Sequence, residues 1–297
     1  MTSADQELVG ARVRPRLGNG GLHASRALVV TIDADRRAFV RARELWEHRE
    51  LLWFLMWRDV KVRYKQAVFG AAWAVLQPLV TMIVFTVIFD RFARFPSAGM
   101  PYPVFAFAGL IPWQLFSGAL QRSIQSVVGS AALISKVYFP RLIVPLAATS
   151  TPIVDFAIAF IVLVVMAIAS GLVPTWRVIA LPGFVGLILV SAVGVGLWLS
   201  ALNVRYRDVG HALPFFIQLW MYASPVVYPL TLVPERWRFL YSLNPMVGAI
   251  DGFRWALLGK PTPDLQAIVM GGGMAFLLLV WGLVYFRRME RTFADVI

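Results

Sequence analysis

Four cations in eight positions, Arg58, Lys61, Arg63 and Lys65, stand directly before 24 residues, 66–89, that carry no charge. Guanidinium and ammonium groups at such a junction suit two tasks: hydrogen bonding to the phosphate oxygens of a substrate, or anchoring to anionic lipid headgroups. The residue types leave both open. Catalytic machinery is absent from the sequence. Gly259-Lys260 runs into Pro261 and lacks the glycine-rich loop that cradles phosphates in a P-loop. No Ser-His-Asp set, Cys-His pair or paired carboxylate occurs at useful spacing, and there is no cysteine. His23, His48 and His211 are too scattered for metal-ligand spacing, so no metal site is expected. The chain reads as a protein that is not itself an enzyme.

Asp155 is the one charge deep inside an apolar stretch. It lies 14 residues past Arg141, roughly 21 Å of helix rise and near the middle of a membrane. A carboxylate there costs at least ~3 kcal/mol on insertion scales. Two readings follow: a proton relay or polar contact on a substrate path, or a hydrogen-bonded acid tying helices through Ser, Thr or Gln neighbours. Aromatic rings are plentiful: Trp73, Trp113, Phe116, Phe215, Phe216, Trp220, Tyr222 and Tyr228. Such faces stack on the apolar faces of sugars, and they equally serve as lipid-facing belts. Ala192, Gly196 and Ser200 repeat every fourth residue, a spacing that lets helix backbones pack closely.

The elements that hold these residues must be membrane helices. Hydrophobic residues make up 59% of the chain and mean hydropathy is +0.70, which fixes the class as an all-α membrane protein. Net charge is +12. No basic face accompanies a soluble fold, so this excess fits cytoplasmic flanks rather than nucleic acid. Residues 1–40, with Arg12, Arg14, Arg16, Arg26, Arg36 and Arg37 among small polar residues, are expected to be a disordered cytoplasmic tail. Residues 41–62 predict an amphipathic helix at the membrane interface, with Leu45, Leu52, Trp53, Met56, Trp57 and Val60 on one face.

Residues 63–297 predict six spans: about 68–90; 102–127, interrupted by Pro112; 142–169; 178–202; 212–232; and 265–286. The fifth carries Pro214, Pro225 and Pro229 and is expected to be broken or re-entrant. Of the Lys and Arg residues, 21 fall in segments that share one side and 7 on the other, which places both termini in the cytoplasm. Residues 129–141 predict a short cytoplasmic helix ended by Pro140, with Lys136, Tyr138 and Arg141 exposed. On the opposite side, Pro234 and Pro245 mark helix starts and Gly259 a helix stop. These short external helices are expected to dip into the membrane.

The stretch W-R-D-V-K-V-R-Y-K-Q-A-V-F-G-A-A-W-A-V-L-Q-P at 57–78 resembles the approach to the first span in polysaccharide-exporting ATP-binding-cassette permeases, such as O-antigen, teichoic-acid and galactan exporters. The likeness continues through G-L-I-P-W-Q-L-F at 109–116, L-I-S-K-V-Y-F-P-R at 133–141, A-L-N-V-R-Y-R-D-V at 201–209, S-P-V-V-Y-P at 224–229 and N-P-M at 244–246. The resemblance implies a channel-forming permease in the bacterial inner membrane: a homodimer with two copies of a separate ATPase subunit, which holds ATP and Mg²⁺, while this chain binds no cofactor. It implies a glycan on a polyprenyl pyrophosphate lipid as substrate. With such a substrate, Arg58, Lys61, Arg63 and Lys65 are expected to receive the pyrophosphate, and Trp73, Trp113, Phe116, Phe216, Trp220, Tyr222 and Tyr228 to line the channel. Leu133, Ser135, Lys136, Tyr138 and Arg141 would couple to the ATPase. A drug or small-lipid permease of the same plan, and a proton-driven flippase using Asp155, are the alternatives.

Overall fold

The computed structural model describes residues 42–65, 70–95, 97, 99–137, 139–259, 262–291 and 293. The expected tail at 1–40 and Tyr138 lie outside them. Among the described residues every regular element is helical. In chain order they are α1 (Ala42–Glu47), α2 (Arg49–Lys65), α3 (Gly70–Phe85, extended by a π-helical turn Thr86–Phe92), α4 (Tyr102–Gly129), α5 (Ala131–Lys136), α6 (Ile143–Ala148), α7 (Ser150–Ala169), α8 (Leu181–Arg205), α9 (Asp208–Tyr222), α10 (Glu235–Ser242), α11 (Pro245–Leu258) and α12 (Leu265–Glu290). Five runs are long and apolar enough to cross a membrane: Ala72–Phe92, Tyr102–Gly129, Ile143–Ala169, Trp176–Arg205 and Leu265–Glu290.

The central element is α4, whose sides are covered by α3, α7, α8 and α11. It runs unbroken through Pro112, where an interruption was expected. A proline removes one donor and crowds the carbonyl four residues earlier. Packing on every side holds the helix together across that defect. The small-residue stripe on α8 meets α4: a Cβ on Gly196 would come within 2.8 Å of the Ser123 side chain, and Ala192 and Ser200 are buried. On the other face of α8 the contact with α12 is closer still. A Cβ on Gly282 would sit 2.1 Å from the Gly194 carbonyl oxygen, so only two glycines allow these backbones to touch.

The expected fifth span departs from the other five. α9 stops at Tyr222 after 15 residues, about 22 Å of rise, because Pro225 has no N–H and disfavours helix in the residue before it. The chain then continues without regular structure to the 3₁₀ turn Leu230–Leu232. Its ends are nonetheless level with the two ends of α4. Asn203 at the end of α8 donates to the Ile124 carbonyl (3.2 Å), while the segment after α9 shares the Arg254 side chain with the Phe105 carbonyl. From Phe105 to Ile124 is about 28 Å of helix.

In that irregular segment the carbonyls from Tyr222 to Val227 each have a donor, which matters where unwound backbone is buried away from water. The Tyr222 carbonyl accepts from Tyr228 (2.9 Å) and Ala223 from Asn244 (3.1 Å). The Ser224 carbonyl takes the Val226 N–H (2.7 Å). Pro225 and Val226 both accept from Arg254 (2.6 and 2.5 Å), and Val227 from Tyr102 (2.8 Å). Arg254, on α11, is 1% exposed and also lies 3.7 Å above the Phe105 ring. Gly109 makes the room: a Cβ there would stand 2.3 Å from the guanidinium. In the sequence count Arg254 is one of the seven cations on the external side. Pro234 and Pro245 start α10 and α11 as expected, and Gly259, at φ 76°, ends α11. Asn244 caps α11 through Met246 N–H and also accepts from Trp220.

At the opposite end the basic segments converge. Glu44 pairs with Arg287 (3.7 Å), and Arg141 donates through both backbone and side chain to Glu290. The helix expected over 41–62 is broken at His48, and its apolar residues divide between two faces. Leu51, Leu52, Leu55 and Met56 lie against the protein interior, whereas Trp46, Trp53, Phe54 and Trp57 are exposed. The expectation of a single face joining Trp53 and Trp57 to Leu52 and Met56 is therefore corrected. The ring pair points away from the side that packs against α6 and α7.

Replacing Arg254 by Met should orphan the two carbonyls of Pro225 and Val226. At about 1–3 kcal/mol each that loss is roughly 2–6 kcal/mol, seen as a lower midpoint when detergent-solubilised protein is melted under tryptophan fluorescence. An unchanged midpoint would show that the segment finds donors elsewhere.

Candidate functional site

Within the helix bundle one cavity of about 400 Å³ has a lining made for polar contact. α4 supplies Gln114, Ser117, Gln121, Arg122 and Gln125, α3 supplies Trp73 and Gln77, α7 supplies Asp155, and α2 supplies Arg63. On α4 the polar residues stand at i, i+3, i+7 and i+11, one stripe of a 3.6-residue helix. Amides, a hydroxyl and a guanidinium in series can bind hydroxyl-rich or anionic groups. They contain no nucleophile and no general base poised beside one.

Asp155 is the anchor of the cavity's lower wall. Its Oδ2 lies 2.7 Å from Arg63 Nη2 and its Oδ1 accepts from the Tyr64 hydroxyl at 2.5 Å. The acid therefore ties helices together, as the second sequence reading held. Its partners are a cation and a phenol on α2 rather than Ser, Thr or Gln. Burial first, and then the bond to Asp155, push the Tyr64 hydroxyl up to about 12. Tyr64 thus stays a neutral donor across the physiological range. A second contact, Ser150 Oγ to the Met56 carbonyl (3.5 Å), shows the C-terminal half of α2 advancing along α7.

The four collar cations separate. Arg63 turns inward to Asp155, and Arg58 folds back on its neighbour Asp59 (2.9 Å). Lys61 lies over the Trp57 ring at 5.2 Å, and Lys65 is exposed. Of the four, Arg58, Lys61 and Lys65 are exposed, and among the described residues only Lys61 and Lys65 form no ion pair. Arg58, Asp59, Arg63 and Arg122 line a second cleft of about 570 Å³ between α2, α4 and the start of α5.

The aromatic set also divides. Phe215 and Phe216 are 62% and 61% exposed on α9, beside exposed Leu219, Tyr222 and Gln218. Trp73 is exposed on α3 near exposed Gln77. Trp113 and Phe116 do not join that surface; they are 4% and 0% exposed, and Phe116 packs edge-on against Trp220 at 5.0 Å. Within the subunit α4 is the inner helix, and these large rings fill the core between α3, α9 and α11. Trp220 and Tyr228 are half-buried and serve as hydrogen-bond donors to Asn244 and the end of α9.

The short helix expected at 129–141 is α5, six residues long. Ile134 and Phe139 are its buried anchors, Leu133 is half-buried, and Ser135 and Lys136 are exposed. Arg141, expected to be exposed, is half-buried instead because Glu290 at the end of α12 takes it. Sequence reasoning missed Arg122, Gln114, Gln121 and Gln125. The signal was available as a helical repeat of polar residues within an otherwise apolar span.

Residues 50–258 match the family model for the ABC-2 type transporter membrane domain. The chain is 29% identical over 258 residues to the O-antigen export system permease protein RfbA of Myxococcus xanthus, covering 86% of this chain and 98% of that protein. It is 29% identical over 250 residues to the RfbA of Klebsiella pneumoniae (84% and 95%) and 20% identical over 248 residues to the polysialic acid transport protein KpsM of Escherichia coli (80% and 93%).

A double-mutant cycle on Arg63→Gln and Asp155→Asn should return a coupling of about 1–2 kcal/mol in apparent unfolding free energy, as expected for a partly buried pair. Additive effects would mean that the two charges do not support each other.

Proposed function

The chain belongs to the ABC-2 type transporter family, and from that premise we propose that it is the channel-forming membrane subunit of an exporter of long glycans carried on a polyprenyl pyrophosphate lipid. The observation that carries the substrate class is the match over 98% of the length of a protein named as an O-antigen export permease. Members of this family are membrane subunits and not enzymes. ATP hydrolysis therefore belongs to a separate partner, which would hold ATP and Mg²⁺. The side bearing α2, α5 and the end of α12 collects the majority of Lys and Arg and faces the cytoplasm. In that orientation α9 and the irregular segment after it make the sixth crossing, in a bacterial inner membrane.

Two copies of the chain would enclose the channel, with α3 and α9 facing each other across it. The exposed glutamines Gln77 and Gln218 support this choice, since lipid offers an amide no partner. Phe215, Phe216, Tyr222 and Trp73 would then let a polymer slide, because stacking on rings tolerates changes of register. The exposed Ser135 and Lys136 of α5 would meet the ATPase, and Lys61 and Lys65 would attract the phosphates of arriving lipid. Closure of two ATPase subunits on ATP would push α5 and open the path stepwise.

In cells depleted of this chain, lipid-linked glycan should accumulate in the cytoplasm, and destroying the partner's ATP site should stop export. Continued export would make the carrier proton-driven. In proteoliposomes, ATPase activity should rise with polyprenyl-linked glycan; a rise with hydrophobic drugs alone would assign the chain to drug export. The absence of cysteine allows a direct test of assembly. Oxidation should cross-link Phe216→Cys into a dimer and leave Val269→Cys, exposed on α12, monomeric. The reverse pattern would place the two-fold axis elsewhere.

A further inference from the structure

Three guanidinium groups and two carboxylates meet where the 400 Å³ cavity adjoins the cleft between α2 and α4, and the count is uneven. Arg58 is matched by Asp59 and Arg63 by Asp155. Arg122, on α4, has no such match. Its electrostatic neighbours are Arg63, Asp155, Asp59 and Tyr64, yet among the described residues it makes no ion pair and no hydrogen bond. It is half-buried and lines the cavity, the cleft and a smaller space of about 260 Å³ beside Leu55 and Ser126.

An unmatched guanidinium on a membrane helix is unfavourable as pure scaffolding. The rest of the fold shows what scaffolding looks like: Arg254 donates from all three nitrogens to carbonyls. Arg122 instead lines three open spaces and meets none of these acceptors. Five donors in a planar fork match phosphate oxygens. From Arg122 the amide stripe leads through Gln121 and Ser117 to Gln114, eight residues along the helix or about 12 Å.

We propose that Arg122 is a binding residue for a phosphate-bearing lipid headgroup inside the subunit, and that on the export reading above, on which this rests, the headgroup is the carrier's pyrophosphate. The outer collar residues Lys61 and Lys65 act before it, and Arg63 stays with Asp155. The adjoining glutamines face the sugars nearest the phosphates. Arg63 and Arg122 are like charges, so the anion also relieves their repulsion, while Asp155 opposes its binding.

The test uses the complete complex with its ATPase in phosphatidylcholine nanodiscs, titrated with glycan-free polyprenyl pyrophosphate and, separately, with phosphatidylglycerol. Arg122→Gln should weaken binding of the pyrophosphate lipid by about tenfold or more, and Arg122→Lys, which keeps the charge but not the fork, should fall between that variant and the unaltered chain. Asp155→Asn removes an opposing charge and should tighten binding. General damage to the fold would weaken binding in every variant, so the opposite directions separate a ligand contact from a structural one. Equal affinity in Arg122→Gln and the unaltered chain overturns the proposal, as does weakening by Asp155→Asn. An effect of Arg122→Gln on phosphatidylglycerol alone overturns the pyrophosphate assignment. If the unaltered complex ignores polyprenyl pyrophosphate and glycan-linked lipid yet responds to drugs, the export reading itself fails.

Discussion

Six consecutive backbone carbonyls, from Tyr222 to Val227, have lost their helical donors, and the protein supplies each with another. In an apolar environment each unmet carbonyl is a several-kcal/mol penalty. Much of one end of the molecule is arranged to supply the donors. α11 brings Arg254, the cap of α11 brings Asn244, α4 brings Tyr102, and Gly109 leaves space for the guanidinium. This explains why a helix as short as α9 can end where it does. It also explains why α4, α11 and the segment after α9 are pinned to one another at a single point.

The two ends of the molecule are held by different chemistry. Around Arg254 the bonds are short, buried and directed at backbone. Around Asp155 they join side chains, with Arg63 and Tyr64 on a helix that carries exposed tryptophans. The first arrangement suits a fixed frame. The second links a surface helix to the interior of the bundle, and it borders an open cavity with an unmatched cation.

Much of the helical plan was legible from hydrophobicity alone, since long apolar runs have few alternatives in a membrane. The external helices were legible too, because proline at a start and glycine at a stop act through local backbone geometry. Pro112 misled: local geometry said break, and burial of α4 on all sides overrode it. The burial of Trp113 and Phe116 was not legible for the same reason, since a sequence does not say which helix is innermost. Arg63 and Asp155 are 92 residues apart in the chain, and no periodicity connects them. The glutamine stripe on α4 was readable and was passed over in favour of charges and rings.

The contact between Gly194 and Gly282 has a mechanical meaning. At that crossing the backbones of α8 and α12 touch with no side chain between them, while farther along Leu197 and Phe286 join the same buried cluster. α4 is locked to α8 through Gly196 and Ser123, and to α11 through Arg254. These four helices are therefore pinned to one another at points where backbone, a short side chain or the Arg254 guanidinium leaves no gap. On the export reading proposed above, a push delivered near α5, which follows α4 directly, would be passed to all four together.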